Sequence, residues 1–267
     1  MLQKGNQGII VLDEPTLHLH PIKQQHFWRV VTKINSNQII VITHSPYLVN
    51  LQLFKNNNRL LNIQISSGIS KIYPKSGFRA EEVQLKEHNF KPEIFFSNCN
   101  IFVEGASDKA AIAAISESLK NNVLEKYSIK IIEVGGKDIL EKYVYLLKGY
   151  SIPHVALADY DYDCDDEKRK PRKREKTNDF IILNQRLEEE LYNFDKSVKT
   201  IPNFDPRNPC KTNRCDQPNS IMSHKAYRIV QEAMFDNNKR KELKDSKLGK
   251  VFENAVRKAG GRPDKIW

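Results

Sequence analysis

The feature that most constrains the fold is an apolar strand that ends in an acid and turns directly into a helix. Residues 101–103 form the strand, and Glu104 and Gly105 follow it. Glycine suits the sharp turn, and Ser107 or Asp108 is predicted to cap the helix. Glu104 is therefore predicted to lie at the carboxyl end of a strand, where open α/β sheets bind their ligands.

A second apolar run, residues 155–158, ends in Asp159, Tyr160 and Asp161. Residues two apart in an extended segment share a face, so both aspartates are predicted to point the same way. A glutamate and two aspartates at neighbouring strand ends would supply the carboxylate oxygens that Mg²⁺ prefers.

These two motifs together resemble a known domain. Val-Glu-Gly-x-x-Asp at residues 103–108, followed by Asp-x-Asp at 159–161, is similar to the Toprim domain of topoisomerases, primases and nucleases. The resemblance implies a Rossmann-like parallel sheet, in which Glu104, Asp108, Asp159 and Asp161 hold one or two Mg²⁺ or Mn²⁺ ions.

The amino-terminal residues carry a different resemblance. Residues 8–15 form an apolar strand that ends in Asp-Glu-Pro, and residues 38–46 form a strand that ends in Thr-His-Ser-Pro. They resemble the Walker B strand and the switch-histidine strand of ABC-type ATPases. The resemblance implies that Asp13 helps to hold Mg²⁺, that Glu14 polarises the attacking water and that His44 senses the γ-phosphate.

One motif of an ATPase is absent from the sequence. No Gly-x-x-x-x-Gly-Lys-Ser/Thr occurs, and Gly-Gly-Lys-Asp at 135–138 is the nearest approach. We therefore expect the carboxyl-terminal part of a longer protein, a truncated gene product or a decayed copy. ATP is expected as a cofactor only if the missing amino-terminal half is supplied.

Composition limits the partners and the compartment. The formal net charge of +10 favours a polyanionic partner, and nucleic acid is the commonest candidate. Four cysteines without a closely spaced framework indicate reduced thiols, and Cys210 with Cys215 lacks further zinc ligands nearby. No apolar run is long enough to span a bilayer. We expect a soluble intracellular protein, cytoplasmic or nuclear if eukaryotic, with no membrane partner.

A basic run lies just beyond the aspartates, at residues 168–176. Such a run is usually a solvated loop and could also serve as a nuclear localisation signal. Beside a carboxylate site it could instead hold the DNA backbone. The candidate nucleic-acid-binding residues are Lys168, Arg169, Lys170, Arg172, Lys173 and Arg174.

Two weaker candidates lie in the carboxyl-terminal third, and one lies in the middle of the chain. Residues 180–191 read as a strand leading into a helix and resemble a segment of the overcoming-lysogenisation-defect (OLD) nucleases. That resemblance implies a metal-site role for Glu188, which could equally be a surface glutamate. It also suggests Lys225 as a functional lysine. Lys137 is left open between a phosphate contact and a solvated loop residue, and no chemistry is predicted beyond Asn237.

An ABC-type ATPase lobe followed by a Toprim domain is the architecture of the OLD nucleases. We predict an α/β fold, with ATPase residues in 1–93 and a Toprim nuclease domain in 94–267 that carries the basic insertion 168–176. The predicted function is Mg²⁺-dependent cleavage of DNA, in repair or phage defence. The alternatives are a non-catalytic DNA-binding or assembly module and a Toprim RNA nuclease, and a homodimer is left open.

Overall fold

The computed structural model of the protein forms two compact units. One comprises Met1–Ile72 with Ala80–Phe96, and the other comprises Tyr73–Arg79 with Ser97–Trp267. The described residues are 8–31, 33, 38–54, 59–66, 68–74, 85–119, 122–159, 164–165, 170–171, 179–183, 187–198 and 223–267. Within these ranges, no helix combines the length and apolar character needed to cross a membrane.

Two parallel strands and one helix organise the first unit. They are β1 (Ile9–Asp13), α1 (Pro21–Val31) and β2 (Gln38–Ile42), and a second strand pair consists of β3 (Asn62–Ser66) and β4 (Ile69–Tyr73). Ile9 pairs with Gln38 and Asp13 pairs with Ile42, so β1 and β2 end at the same level. This register places the residues after the two strands side by side.

The apolar side chains of the first unit are unevenly covered. Phe54, Phe90 and Phe95 pack together with ring centroids 5.7–6.5 Å apart. By contrast, Ile9 is 66% exposed and Val11 is 58% exposed on one face of the β1–β2 pair.

The second unit is built on a four-stranded parallel sheet. Its strands are β5 (Cys99–Val103), β6 (Ile129–Glu133), β7 (His154–Ala158) and β10 (Phe180–Ile182), and a separate short pair is β8 (Cys164–Asp165) with β9 (Lys170–Pro171). Its helices are α2 (Ala106–Ser118), α3 (Val123–Lys126), α4 (Lys137–Gly149), α5 (Leu187–Tyr192), α6 (Ser223–Phe235), α7 (Asn237–Asp245) and α8 (Lys247–Lys258).

Helices cover both faces of this sheet. Ile101 and Val103 point into a core that also contains buried residues of α2, α6 and α8. Phe102, between them, stacks on Tyr143 of α4 with ring centroids 5.1 Å apart. Alternate side chains of one strand are thus buried against different helix layers, which explains why every residue of β5 and β7 is buried. The predicted α/β fold with a parallel sheet is confirmed.

The chain reverses direction across the sheet at its centre. From β5 it crosses to β6 on one side, and β7 then pairs with the other side of β5, with β10 beyond it. The carboxyl ends of β5 and β7 therefore flank a topological switch point, the position where doubly wound sheets leave a ligand crevice.

Some predicted element bounds differ from the structure. The cap position is Gly105 rather than Ser107, because α2 begins at Ala106, whereas Asp108 caps the helix start from its first turn. Helix α4 begins at Lys137, in a segment predicted as a loop. Helices α7 and α8 lie in the stretch beyond residue 237 for which no chemistry was predicted.

Candidate active site

The structure brings two of the predicted acids together at the switch point. Glu104 follows β5 and Asp159 follows β7, and both side chains are half-buried. The Asp159 backbone N–H donates a hydrogen bond to Glu104 Oε1 over 3.3 Å. Two residues separated by 55 positions in the sequence are therefore neighbours only because β5 and β7 pair in parallel. This hydrogen bond orients the Glu104 carboxylate toward the residue that follows β7.

Asp108 supports the turn after Glu104 from within the helix. Its Oδ2 accepts a hydrogen bond from the Gly105 backbone N–H at 3.0 Å, and its side chain is buried. An acid in the first turn of a helix that reaches back to the preceding N–H satisfies a donor that the helix itself leaves unpaired. The role observed for Asp108 is thus to fix the turn that carries Glu104.

The loop after β6 closes the same edge of the sheet. Gly135 and Gly136 have φ values of 78° and 140°, in the region that favours glycine. The Gly135 N–H donates to the Glu104 carbonyl oxygen at 3.0 Å, which ties this loop to the turn after β5. Lys137, the next residue after the glycines, is only 8% exposed. A solvated loop lysine is therefore excluded, and sequence reasoning had assigned this buried cation no definite role.

Several predicted site residues lie outside the described residues. Asp161 is one of them, and so are Lys168, Arg169, Arg172, Lys173 and Arg174 of the basic run. The backbone of Lys170 is placed in β9, and that of Glu188 is placed in α5. Among the residues that the structure describes, no group of three or more His, Cys, Asp or Glu side chains is arranged to hold a metal ion. The complete ligand set stays a prediction.

Lys225 lies in the first turn of α6, and its ammonium group donates to the carbonyl oxygen of Ser197 at 3.4 Å. This contact gives Lys225 a role in holding the segment that follows α5. A catalytic role for it stays a prediction.

In the first unit, the structure brings Glu14 and His44 together. The His44 backbone N–H donates to Glu14 Oε1 at 2.7 Å, and Thr43 Oγ1 donates to Glu14 Oε2 at 3.0 Å. Glu14 has a φ of 43°, which turns its side chain toward the end of β2. The His44 ring is 4.0 Å from Glu14 Oε1 and is almost fully exposed, and Asp13 is exposed at the end of β1.

A second charged cluster lies at the opposite, amino-terminal edge of the parallel sheet. Lys258 donates to Asp179 Oδ1 at 2.7 Å and to the His154 carbonyl oxygen at 2.6 Å, and Lys148 lies 3.7 Å from Asp179 Oδ2. The His154 ring is buried, with Nδ1 2.7 Å from the carbonyl oxygen of Ile152. Burial lowers the pKa of His154 more than the Ile152 hydrogen bond and the Asp179 charge raise it.

Cys99 opens β5 at this edge and is buried without a disulfide bond. Burial raises the pKa of its thiol to about 12, although the charge of Lys258 and the hydrogen bond to Asn100 oppose the shift. The thiol is therefore a neutral core group, because nucleophilic cysteines have lowered pKa values.

Two family models match the chain, in the order that the motifs predict. A model described as "AAA domain, putative AbiEii toxin, Type IV TA system" matches residues 1–50. A second, described as "Overcoming lysogenization defect protein-like, TOPRIM domain", matches residues 95–161 and so includes the acids at the switch point.

Curated relatives include Endonuclease GajA of Bacillus cereus (strain HuB5-5), which is 26% identical over 192 residues, covering 61% of this chain and 27% of the relative. The OLD nuclease of Thermus scotoductus is 24% identical over 180 residues, covering 63% of this chain and 34% of the relative. The Old nuclease of Escherichia phage P2 is 26% identical over 170 residues, covering 60% and 28%. The chain thus spans between about a quarter and a third of the length of these relatives.

Solved structures similar to the chain include the C-terminal region of the Xanthomonas campestris pv. campestris OLD protein. That match has 19% identity and a TM-score of 0.32 and covers 63% of this chain and 96% of the other. The C-terminal region of the Burkholderia pseudomallei OLD protein matches with 17% identity and a TM-score of 0.29, covering 61% and 97%. The two family models and the curated relatives support an OLD-family combination of an ATPase-domain segment followed by a Toprim domain.

Proposed function

We propose that the protein is a metal-dependent endonuclease that hydrolyses phosphodiester bonds in DNA. The observation that carries this proposal is the hydrogen bond from Asp159 N–H to Glu104 Oε1 at the switch point. It joins two acids in the crevice where this type of sheet binds ligands. The names of the relatives, an endonuclease and two OLD nucleases, support the same class of reaction.

The residue types at the switch point suit a hard divalent cation. Glu104, Asp108 and Asp159 supply carboxylate oxygens, which are the ligands that Mg²⁺ prefers. We propose Glu104 and Asp159 as primary ligands, with Asp161 and Glu188 completing the set and Asp108 as either a ligand or the support of the turn. When bound there, Mg²⁺ or Mn²⁺ would activate a water and stabilise the leaving oxygen.

The residues of the chain itself position this chemistry. The Asp159 N–H fixes the side chain of Glu104, and the Gly135 N–H fixes its carbonyl oxygen. The Glu104 carboxylate is therefore oriented before any ligand binds. Lys137 adds a positive charge at the same edge, where it would offset part of the charge on a bound phosphate. We keep Lys225 as a further candidate catalytic lysine.

The ATPase and Toprim segments are proposed to divide between residues 93 and 94.

Because the sequence has no phosphate-cradling glycine loop, we expect no saturable ATP hydrolysis from this chain alone. The measurement is steady-state phosphate release by the wild type and by Glu14→Gln. Turnover that saturates with ATP and disappears in Glu14→Gln would contradict the proposal.

The basic run 168–176 is proposed to hold the DNA backbone beside the acids. Neutralising four of its charges should lower the slope of log K against log salt for duplex binding by about 0.9 per lost contact. An unchanged slope would assign the run to a solvated loop.

Nicking of supercoiled plasmid tests the nuclease proposal. The wild type is incubated with Mn²⁺, with Mg²⁺ and with EDTA, beside Glu104→Gln and Asp159→Asn. We expect metal-dependent nicking by the wild type and a loss of at least about a hundredfold in both variants. Matched controls are Glu125→Gln and Asp264→Asn, since both residues are exposed and lie away from the switch point.

Each outcome of this experiment assigns a function. Equal nicking by the wild type and Asp159→Asn would reject the assignment of the site. Binding of the plasmid without cutting, seen as a gel shift of the same samples, would identify a non-catalytic module. Cleavage confined to a labelled RNA incubated in parallel would identify an RNA nuclease.

A further inference from the structure

A groove at the outer edge of the parallel sheet has no role in the proposed chemistry. It has a volume of about 480 Å³ and lies between β10 and α8. One side consists of Phe180, Ile181 and Ile182 of β10, all half-exposed. The side formed by α8 consists of Lys247, Lys250, Glu253, Asn254 and Arg257.

The helix side of the groove has an ordered charge pattern. Lys247, Lys250 and Arg257 lie at positions i, i+3 and i+10 of α8, with Asn254 at i+7, so they form one stripe along the helix. At 1.5 Å per residue the stripe is about 15 Å long. Three cations and Glu253 leave a formal charge of +2 on this side of the groove.

The groove extends toward the edge of the sheet that carries the candidate active site. At the carboxyl end of α8, Lys258 bonds to the carbonyl oxygen of His154, the first residue of β7, and to Asp179, which precedes β10. Helix α8 therefore runs antiparallel to the strands, and Lys247 at its amino end lies toward the strand ends that precede Asp159 and Leu183. A ligand in the groove would approach the edge that holds Glu104.

The two sides of the groove suit different parts of one ligand. Cations spaced along a helix match a row of phosphates, and an apolar surface that contains an aromatic ring suits unpaired bases, which stack on such rings. An acidic peptide added to the edge of β10 would gain little, because the strand has only three residues to offer main-chain hydrogen bonds. Charge and shape therefore favour a single nucleic-acid strand over a peptide.

We propose that the β10–α8 groove binds single-stranded DNA, with phosphates along Lys247, Lys250 and Arg257 and a base against Phe180. Its use as a path for the substrate strand rests on the proposed nuclease function, whereas binding itself does not. Because Arg257 also donates to Asn254 Oδ1 at 2.8 Å, its guanidinium is oriented along the stripe.

Binding is measured by the fluorescence anisotropy of a labelled oligothymidylate of about 16 nucleotides in EDTA, where no cleavage occurs. The test variant is Lys247→Gln, Lys250→Gln and Arg257→Gln combined. The control, Lys130→Gln, Lys241→Gln and Arg262→Gln, removes the same charges from exposed positions outside the groove. We expect the test variant to bind at least about tenfold more weakly and to lose roughly 2 in salt slope, at about 0.7 per contact.

Phe180→Ala probes the base contact and is expected to weaken binding roughly tenfold. Phe180→Leu preserves the apolar packing and should show a similar loss without a change in melting temperature. Equal weakening by test and control triple variants would overturn the proposal. Stronger competition by polyglutamate than by unlabelled oligothymidylate would assign the groove to an acidic peptide, and tighter binding of oligouridylate would assign it to RNA.

The failure of this inference is distinguishable from the failure of the proposed function. If the groove variants lose oligothymidylate binding but the wild type never nicks plasmid, the groove proposal holds and the nuclease proposal is wrong. If the wild type nicks plasmid in a metal-dependent way but the test variant binds oligothymidylate as tightly as the wild type, the nuclease proposal holds and the groove proposal is wrong.

Discussion

The carboxylates at the two edges of the parallel sheet differ in the groups that contact them. At the amino-terminal edge, Asp179 contacts the ammonium groups of Lys258 and Lys148. At the carboxyl-terminal edge, Glu104 and Asp108 accept hydrogen bonds from the backbone N–H groups of Asp159 and Gly105. An ion pair offsets the charge of a carboxylate, whereas a bond from a backbone N–H orients the carboxylate without adding a formal positive charge. The contacts at the first edge are those of a structural ion-pair cluster, and the acids at the second edge are the proposed cation-binding site.

The largest expected effect tests this contrast with metal. Excess Mn²⁺ should stabilise the wild type by about 2.7 kcal/mol at a hundred times its dissociation constant. Glu104→Gln combined with Asp159→Asn should remove this stabilisation, because the ligand oxygens lose their charge. Thermal melts with and without Mn²⁺ give the measurement, and Asp179→Asn is the control that should keep the full metal response. If Mn²⁺ still raises the melting temperature of the double variant, Glu104 and Asp159 are not the metal ligands.

The next effect concerns the structural edge. Asp179→Asn should lower the free energy of unfolding by about 1–2 kcal/mol, because Lys258 and Lys148 would then face a neutral amide. Urea denaturation measures this change at neutral pH, with the exposed Asp264→Asn as the matched control. If Asp179→Asn melts like the wild type, the ion pairs contribute nothing to stability.

A smaller effect depends on pH through His154. Its Nε2 is buried without a hydrogen-bond partner among the described groups, and burial lowers its pKa from 6.5. Because the unfolded state binds this proton more readily, the stability that neutral His154 contributes is present above pH 6.5 and is lost as pH falls toward the folded pKa. The loss cannot exceed about 1.4 kcal/mol per pH unit.

Unfolding measured between pH 7.5 and 5.5 should therefore show a weaker pH dependence in His154→Phe than in the wild type. Phenylalanine keeps a ring in contact with Phe102, whose centroid is 6.4 Å from that of His154. Identical pH profiles for the two proteins would show that His154 does not titrate on unfolding in this range.

The smallest effect is the difference in stability contributed by the two lysines that contact Asp179. Lys148 lies 3.7 Å from Asp179 and its side chain is 35% exposed, so Lys148→Met should cost no more than about 0.5 kcal/mol. Lys258→Met should cost more, because Lys258 also bonds to the His154 carbonyl oxygen at 2.6 Å. A double-mutant cycle with Asp179→Asn measures each pair. Equal coupling energies would show that the N–O distance does not determine which of the two ion pairs is stronger.

Sequence reasoning predicted one edge of the sheet far better than the other. Glu104 and Asp159 were found because apolar strands end in acids, a pattern that local sequence displays. The cluster at the other edge was missed, since His154, Asp179 and Lys258 come from three distant segments that only the tertiary fold brings together. No local pattern marks such a cluster.

Helix α8 was missed for another reason. Its buried residues Leu248, Val251, Phe252, Ala255 and Val256 recur with helical spacing, so the signal was present in the sequence. However, α8 carries mainly basic and apolar residues and none of the acidic motifs that mark the candidate site. The predicted capping by Asp108 is observed, but from the first turn rather than from the cap position, which Gly105 occupies.

The hydrogen bond from Asp159 to Glu104 has a practical consequence. Its amide proton exchanges with solvent deuterium only when the end of β7 separates from the turn after β5, or when the Glu104 side chain swings away. The exchange rate at this one position therefore reports how often the candidate site comes apart, without any substrate or turnover. Any ligand that requires the Glu104 carboxylate in its present orientation will slow the exchange, and one that draws the carboxylate elsewhere will accelerate it.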